Sequence, residues 1–208
     1  MNFTIPQFNC PRWFKSDRGS AAIEFAFIAP MFFALMLGIL EIGVMTFAQF
    51  AMQNAVTDAG RLIRTGQAQD ATALIGSGIA MPQCASDAAS TQVMFASPAD
   101  WFKGQICCGV ATLMDCSKLT VTVAAPAAGF NGGFASLGPA GSYSPGTACS
   151  VVLVRADYIW TIWFPGLAQL LNANASANFL VNSGSNGRLL SGTTAFRNEP
   201  FNSGVAGC

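Results

Sequence analysis

The sequence predicts an α+β protein: a long N-terminal helix, apolar enough to cross a membrane, that extends into a small domain of short antiparallel strands. Three observations predict it. Residues Ser20 to Met52 form one apolar run, broken only by Glu24, Glu41, Thr46 and Gln49. Further on, Leu119, Val121 and Val123 alternate with Lys118, Thr120 and Thr122, and Val152, Val154, Ala156 and Tyr158 alternate with Leu153, Arg155 and Asp157. That period of two is the pattern of half-buried strands. Of the seven cysteines, only Cys10 precedes the run.

The helix comes first. A membrane span needs about twenty residues at roughly 1.5 Å each, so the run is long enough to span with tilt. A cleavable secretory signal has a shorter apolar region closed by a small-residue cleavage site. The helical pattern also continues past the run. Ala51, Ala55, Ala59, Leu62 and Ile63 recur at three- and four-residue steps, with Gln53, Asp58, Arg61 and Arg64 on the remaining surface, and Thr65-Gly66 is a stop signal. Pro30 can kink the first part, although neighbouring helices re-satisfy freed backbone groups in a membrane. The expected organisation is a leader over 1–19, a transmembrane helix with its extension over 20–66, and an outer domain over 67–208.

In the outer domain, Asp70 to Ala80 reads as a short helix and Thr193 to Arg197 as a third, weaker strand. Residues 125–148 are rich in Ala, Gly, Ser and Pro and read as a loop. No crossover helix separates the strands, so antiparallel pairing is expected. Tyr158 to Leu171 is apolar, with Trp160, Trp163 and Phe164, but is too short to span a membrane. It is either core or a patch facing a partner or the membrane.

Composition excludes several function classes. Only 10% of residues are charged, and the formal net charge is zero. There is no basic field to bind nucleic acid. The chain has no histidine, which removes the usual general base and the commonest metal ligand. The glycines near 131–138 lack the Lys-Ser/Thr ending of a phosphate loop. No catalytic residue, cofactor or metal site is expected.

The six cysteines beyond the run, Cys84, Cys107, Cys108, Cys116, Cys149 and Cys208, are enough for three disulfides, whose pairing the spacing leaves open. A zinc site on Cys107, Cys108 and Cys116 is the rival, but the spacing is not CxxC and no histidine completes it. The partition also bears on orientation, because disulfides persist in an oxidising compartment. The leader holds Arg12, Lys15 and Arg18 against Asp17, which slightly favours a cytoplasmic leader.

Two acids fall inside the run. Glu24 stands near its start. Glu41, in Gly38-Ile39-Leu40-Glu41-Ile42-Gly43, lies seventeen residues on, about 25 Å along a helix and close to the thickness of a hydrocarbon core. A carboxylate at a helix centre costs roughly 2.5–3.5 kcal/mol on insertion scales and less near an interface, so each acid is a functional hypothesis. Glu41 is either wet at the outer interface or bound to a partner helix. Ala22 with Ala26, and Ala34 with Gly38, have the four-residue spacing that lets membrane helices approach closely.

A short basic leader, Gly19, four small or apolar residues, Glu24 and an apolar helix together resemble type IV pilin-like proteins. The resemblance sharpens over Arg18-Gly19-Ser20-Ala21-Ala22-Ile23-Glu24-Phe25-Ala26, Pro30, Gly38 to Gly43, Gln53-Asn54-Ala55 and Ala59-Gly60-Arg61. Over about residues 18–64 these closely resemble the TadE-like family, pilin-like proteins of tight-adherence (Flp-type) pilus systems. The ending Phe196-Arg197-Asn198-Glu199-Pro200-Phe201 also resembles such proteins.

The resemblance implies a protein of the bacterial inner membrane, single-pass, with its C-terminal domain in the periplasm. It implies cleavage between Gly19 and Ser20 by a prepilin peptidase, contacts of Glu24 and Glu41 with neighbouring subunits in the membrane, and partners among pilin and pilus-assembly proteins. Phe25 replaces the Tyr that follows the acid in major Flp pilins, and those are much smaller. The expected role is therefore that of a minor pilin or pseudopilin supporting assembly. The alternatives are a membrane-anchored periplasmic enzyme, with an unpaired Cys107 or Cys108 as nucleophile, and a secreted adhesin that loses the whole span.

Overall fold

The structure, a computed structural model, describes residues 18–84, 91–126, 139–164 and 187–201. The basic leader with Cys10, Cys208, the centre of the Gly/Ala-rich loop and the second half of the 158–171 apolar stretch lie outside the described residues.

The first helix, α1, runs Arg18–Arg64 and continues through Pro30. The chain divides into two compact units within it, the second being Glu41–Cys208. That second unit is α+β. After α1 come α2 (Gln67–Gly76), β1 (Met81–Pro82), β2 (Gln92–Val93), α3 (Pro98–Val110), a short 3-10 turn (Cys116–Lys118), β3 (Thr120–Ala124), β4 (Val151–Thr161) and β5 (Gly187–Arg197).

The main sheet is an antiparallel meander, β3-β4-β5, and β1 with β2 forms a separate two-stranded ribbon. Register places Val123 opposite Val154, and Ala156 opposite both Val121 and Gly192. One face of the sheet therefore carries Val123, Val152, Val154, Ala156, Tyr158 and Leu190, all buried in the core. The C-terminal half of α1 adds Ala48, Met52, Ala55, Val56, Ala59 and Ile63 to that core, and α3 adds Trp101, Phe102, Ile106 and Val110. Close approach explains why small residues stand at the crossings. A Cβ on Gly192 would lie 3.1 Å from Val56 and 3.2 Å from Met52, and one on Gly109 would lie 2.7 Å from the Cβ of Ala55.

Both edges of the sheet are covered. On β5, Gln49 donates to the Ser191 carbonyl at 2.7 Å and Gln53 to the Thr193 carbonyl at 2.8 Å. On β3, the Val123 amide donates to Ser142 at 2.8 Å, and the Ser144 amide donates to Val123 at 2.9 Å. Covered edges remove the template on which another chain could add a strand.

The expected stop after α1 is present. Gly66 has φ of 88°, a conformation glycine adopts without steric cost, and its amide bonds the Ile63 carbonyl at 3.1 Å. A side chain there would also meet Phe201 at 2.6 Å. The Gly66 carbonyl then accepts from Gln69 and Asp70 and starts α2, three residues earlier than the sequence pattern placed it. The helix α3 was not anticipated. Its local signal is Ser97-Pro98-Ala99-Asp100: the Ser97 hydroxyl oxygen accepts from the Asp100 amide at 3.2 Å, with Pro98 in the first turn, an ordinary helix start. The third strand begins at Gly187 rather than Thr193.

Candidate membrane helix and its outer clip

Between Ile23 and Val44 the large apolar side chains of α1 are exposed on every side of the helix. A soluble surface helix keeps an apolar stripe and a polar face; an all-round apolar helix is buried in a core or a membrane. The stretch Ala21–Arg64 contains a window of mean hydropathy 2.2, none of it buried within the chain. It is long and apolar enough to cross a membrane by length and composition. Glu24 is exposed in the first turns of this helix. Gly19 stands in open space, with no atom within 4 Å of where a side chain would begin.

Glu41 is half-buried, and the second unit begins with it. Its two carboxylate oxygens accept the backbone amides of Trp163 and Phe164, at 2.5 and 3.1 Å. Carboxylates bonded by backbone amides make charge-assisted, comparatively strong hydrogen bonds. Glu41 thus clips the segment just past β4 onto the helix. Sequence reasoning offered this acid only water or a partner helix; a contact 122 residues away in the same chain leaves no local signal.

The far end of α1 carries a second latch. The Glu199 amide donates to the Arg64 carbonyl at 2.9 Å, and the Glu199 carboxylate pairs with Arg64 at 3.1 Å. Asn198, 2% exposed, donates to the carbonyls of Pro145 and Thr147, each at 3.0 Å. Phe196 packs at Gly60, and Phe201 at Gly66. The ending singled out in the sequence therefore closes the head around the last turns of the helix.

The described cysteines are disulfide-bonded. Cys84 bonds Cys108, and Cys107 bonds Cys116; Cys149 is disulfide-bonded as well. The adjacent pair Cys107-Cys108 ties α3 in two directions, to the end of the β1 segment and to the 3-10 turn. That turn is held by Asp115, whose carboxyl lies below the usual carboxylate range because the Ser117 hydroxyl and amide both donate to it. With both thiols committed, neither is the nucleophile of the enzyme alternative. Among the described residues no group of His, Cys, Asp and Glu could hold a metal ion.

A shallow cavity of about 500 Å³ opens beside α1 and α3, lined by Asp58, Arg61, Gln67 and Gln105 among others. Tyr143 packs against Phe102, ring centroids 5.7 Å apart, with its hydroxyl buried and without a hydrogen-bond partner. Burial pushes that hydroxyl up to about 12. Thr72 opposes the shift, but its own hydroxyl is committed to the Ala68 carbonyl at 2.7 Å.

The class these features define is an α+β protein with a long N-terminal apolar helix, α1, whose C-terminal residues pack in the core of the α+β domain. Residues 19–61 match the TadE-like protein family. The matched segment covers the whole apolar helix and most of its extension, and the family points to a pilin-like protein associated with tight-adherence pili, a pilus-component family rather than an enzymatic one. No curated protein and no solved structure matches the chain.

Proposed function

We propose that the protein is a membrane-anchored, pilin-like component, a minor pilin or pseudopilin, that supports assembly of a tight-adherence pilus. In this reading the leader is cytoplasmic, α1 crosses the inner membrane once, and the disulfide-bonded head lies in the periplasm. The observation that carries it is a coincidence of position: the TadE-like match falls on the stretch whose apolar side chains are exposed all round. Those side chains need lipid or other helices as cover, and pilin and pilus-assembly proteins supply helices of that kind. The mechanism is physical rather than catalytic. A prepilin peptidase cuts between Gly19 and Ser20, α1 packs among pilin helices, and Glu24 sets their axial register by pairing with the freed amine of a neighbouring subunit. Pairing between staggered chains neutralises two charges at one depth, where an isolated charge is expensive.

The secreted-adhesin alternative fits poorly with the head. Removing the whole apolar run would take Ala48 and Met52 out of the core. Losing a buried methionine side chain alone costs about 2–5 kcal/mol.

The test is substitution at Glu24. Glu24→Gln and Glu24→Leu are both expected to insert and to be cleaved, while crosslinking to pilin subunits and piliation fall. Wild-type crosslinking and piliation in both variants would show that the acid has no assembly role.

A further inference from the structure

Trp163 is 87% exposed, more than any other large apolar side chain among the described residues. Its neighbour Ile162 is buried, so the exposure belongs to one side chain on an anchored backbone. The anchor is Glu41, through the amides of Trp163 and Phe164. An exposed indole held this firmly has lost chain freedom without gaining cover.

Its position along the chain says what covers it. Residues 21–40, apolar except for Glu24, precede Glu41 directly, and twenty helical residues measure about 30 Å, the thickness of a hydrocarbon core. A group clipped to residue 41 then stands at the outer membrane-water boundary. Trp is enriched there because its ring is apolar while its N–H seeks water and headgroups.

We propose that Trp163 is a membrane-interface anchor of the head: the Glu41 clip holds the indole at the outer headgroup layer and so fixes how the head rests on the bilayer. The occupant of this surface is lipid, not a second protein. The proposal rests on the reading of α1 as a membrane span.

The experiment uses the full chain, disulfides intact, in phosphatidylcholine vesicles at low protein-to-lipid ratio. The lipids are brominated either near the headgroup end of the acyl chains or near their tips. The difference in fluorescence between wild type and Trp163→Phe isolates Trp163 from Trp13, Trp101 and Trp160. The expected result is a Trp163 component quenched at least about twofold more by the shallow bromines than by the deep ones, as an interfacial indole requires. In Glu41→Ala, which frees both amides, that shallow preference is expected to fall toward that of the unbrominated control. A Trp163 component untouched by either lipid and quenched by aqueous iodide would overturn the proposal. So would a Glu41→Ala variant with wild-type quenching, which would remove the clip from the account. Alkaline carbonate extraction separates the two readings. Protein retained in the vesicles with a wet Trp163 defeats only the interface anchor, whereas protein released by carbonate defeats the membrane span itself.

Discussion

Gln53 and Thr193 exchange two hydrogen bonds: the Gln53 side-chain amide donates to the Thr193 carbonyl at 2.8 Å, and the Thr193 backbone amide donates to the Gln53 side-chain oxygen at 3.1 Å. A helix side chain thus takes the place of the next strand on the open edge of β5, and Gln49, one turn earlier, does the same at Ser191. The same long helix, α1, thus covers the edge of the sheet.

That relationship predicts a local effect of Gln53→Ala. The exposed edge groups regain water, so global stability should fall by only about 1 kcal/mol. Amide hydrogen exchange at Thr193 should speed up, because its donor loses a fixed partner. Unchanged exchange at Thr193 would mean that the paired geometry does not persist in solution.

The disulfides give a second prediction. Peptide mapping without reductant should recover Cys84 with Cys108 and Cys107 with Cys116. Cys149 should likewise be recovered in a disulfide-linked peptide. Replacing Cys107 and Cys116 by serine should destabilise the head by about 3 kcal/mol on the chain-entropy model, read as a lower urea midpoint. Recovery of a Cys107–Cys108 peptide, or of free thiols at these positions, would contradict the arrangement.

Tyr143 predicts an alkaline weakness. The unfolded phenol loses its proton near 10, whereas burial holds the folded one to about 12. The raised value favours the folded state fully below pH 10, and that contribution is lost as pH rises toward 12, at about 1.4 kcal/mol per unit. Tyr143→Phe removes both the titration and a buried hydroxyl without a partner. It should therefore match or slightly exceed wild-type stability at neutral pH and show a shallower loss in alkaline urea titrations. Parallel pH profiles for the two proteins would assign the alkaline loss elsewhere.

The sequence made some elements plain and concealed others, for physical reasons. The helix α1 and its end at Gly66 were legible because hydropathy, a three-to-four residue repeat and a glycine stop agree. The strands β3 and β4 were legible from the alternation of apolar and polar residues, which β4 follows with one buried and one more exposed face. The helix α3 was missed although Ser97, Pro98 and Asp100 are local start signals, because Gly104 and Gly109 interrupt its short apolar pattern. The first half of β5 was missed because Gly192 reads as a break, yet the glycine is there to let α1 approach. The Glu41 clip and the Gln53 pairing connect residues more than a hundred positions apart, and nothing local encodes them.

The central claim is that this is a processed, pilin-like membrane component, and it is tested most directly by mass spectrometry of the mature protein's N-terminus. The account predicts a chain that begins at Ser20, cut after Gly19 with Glu24 at the new fifth position. A mature chain that begins at Met1, or at any residue beyond 45, would contradict it.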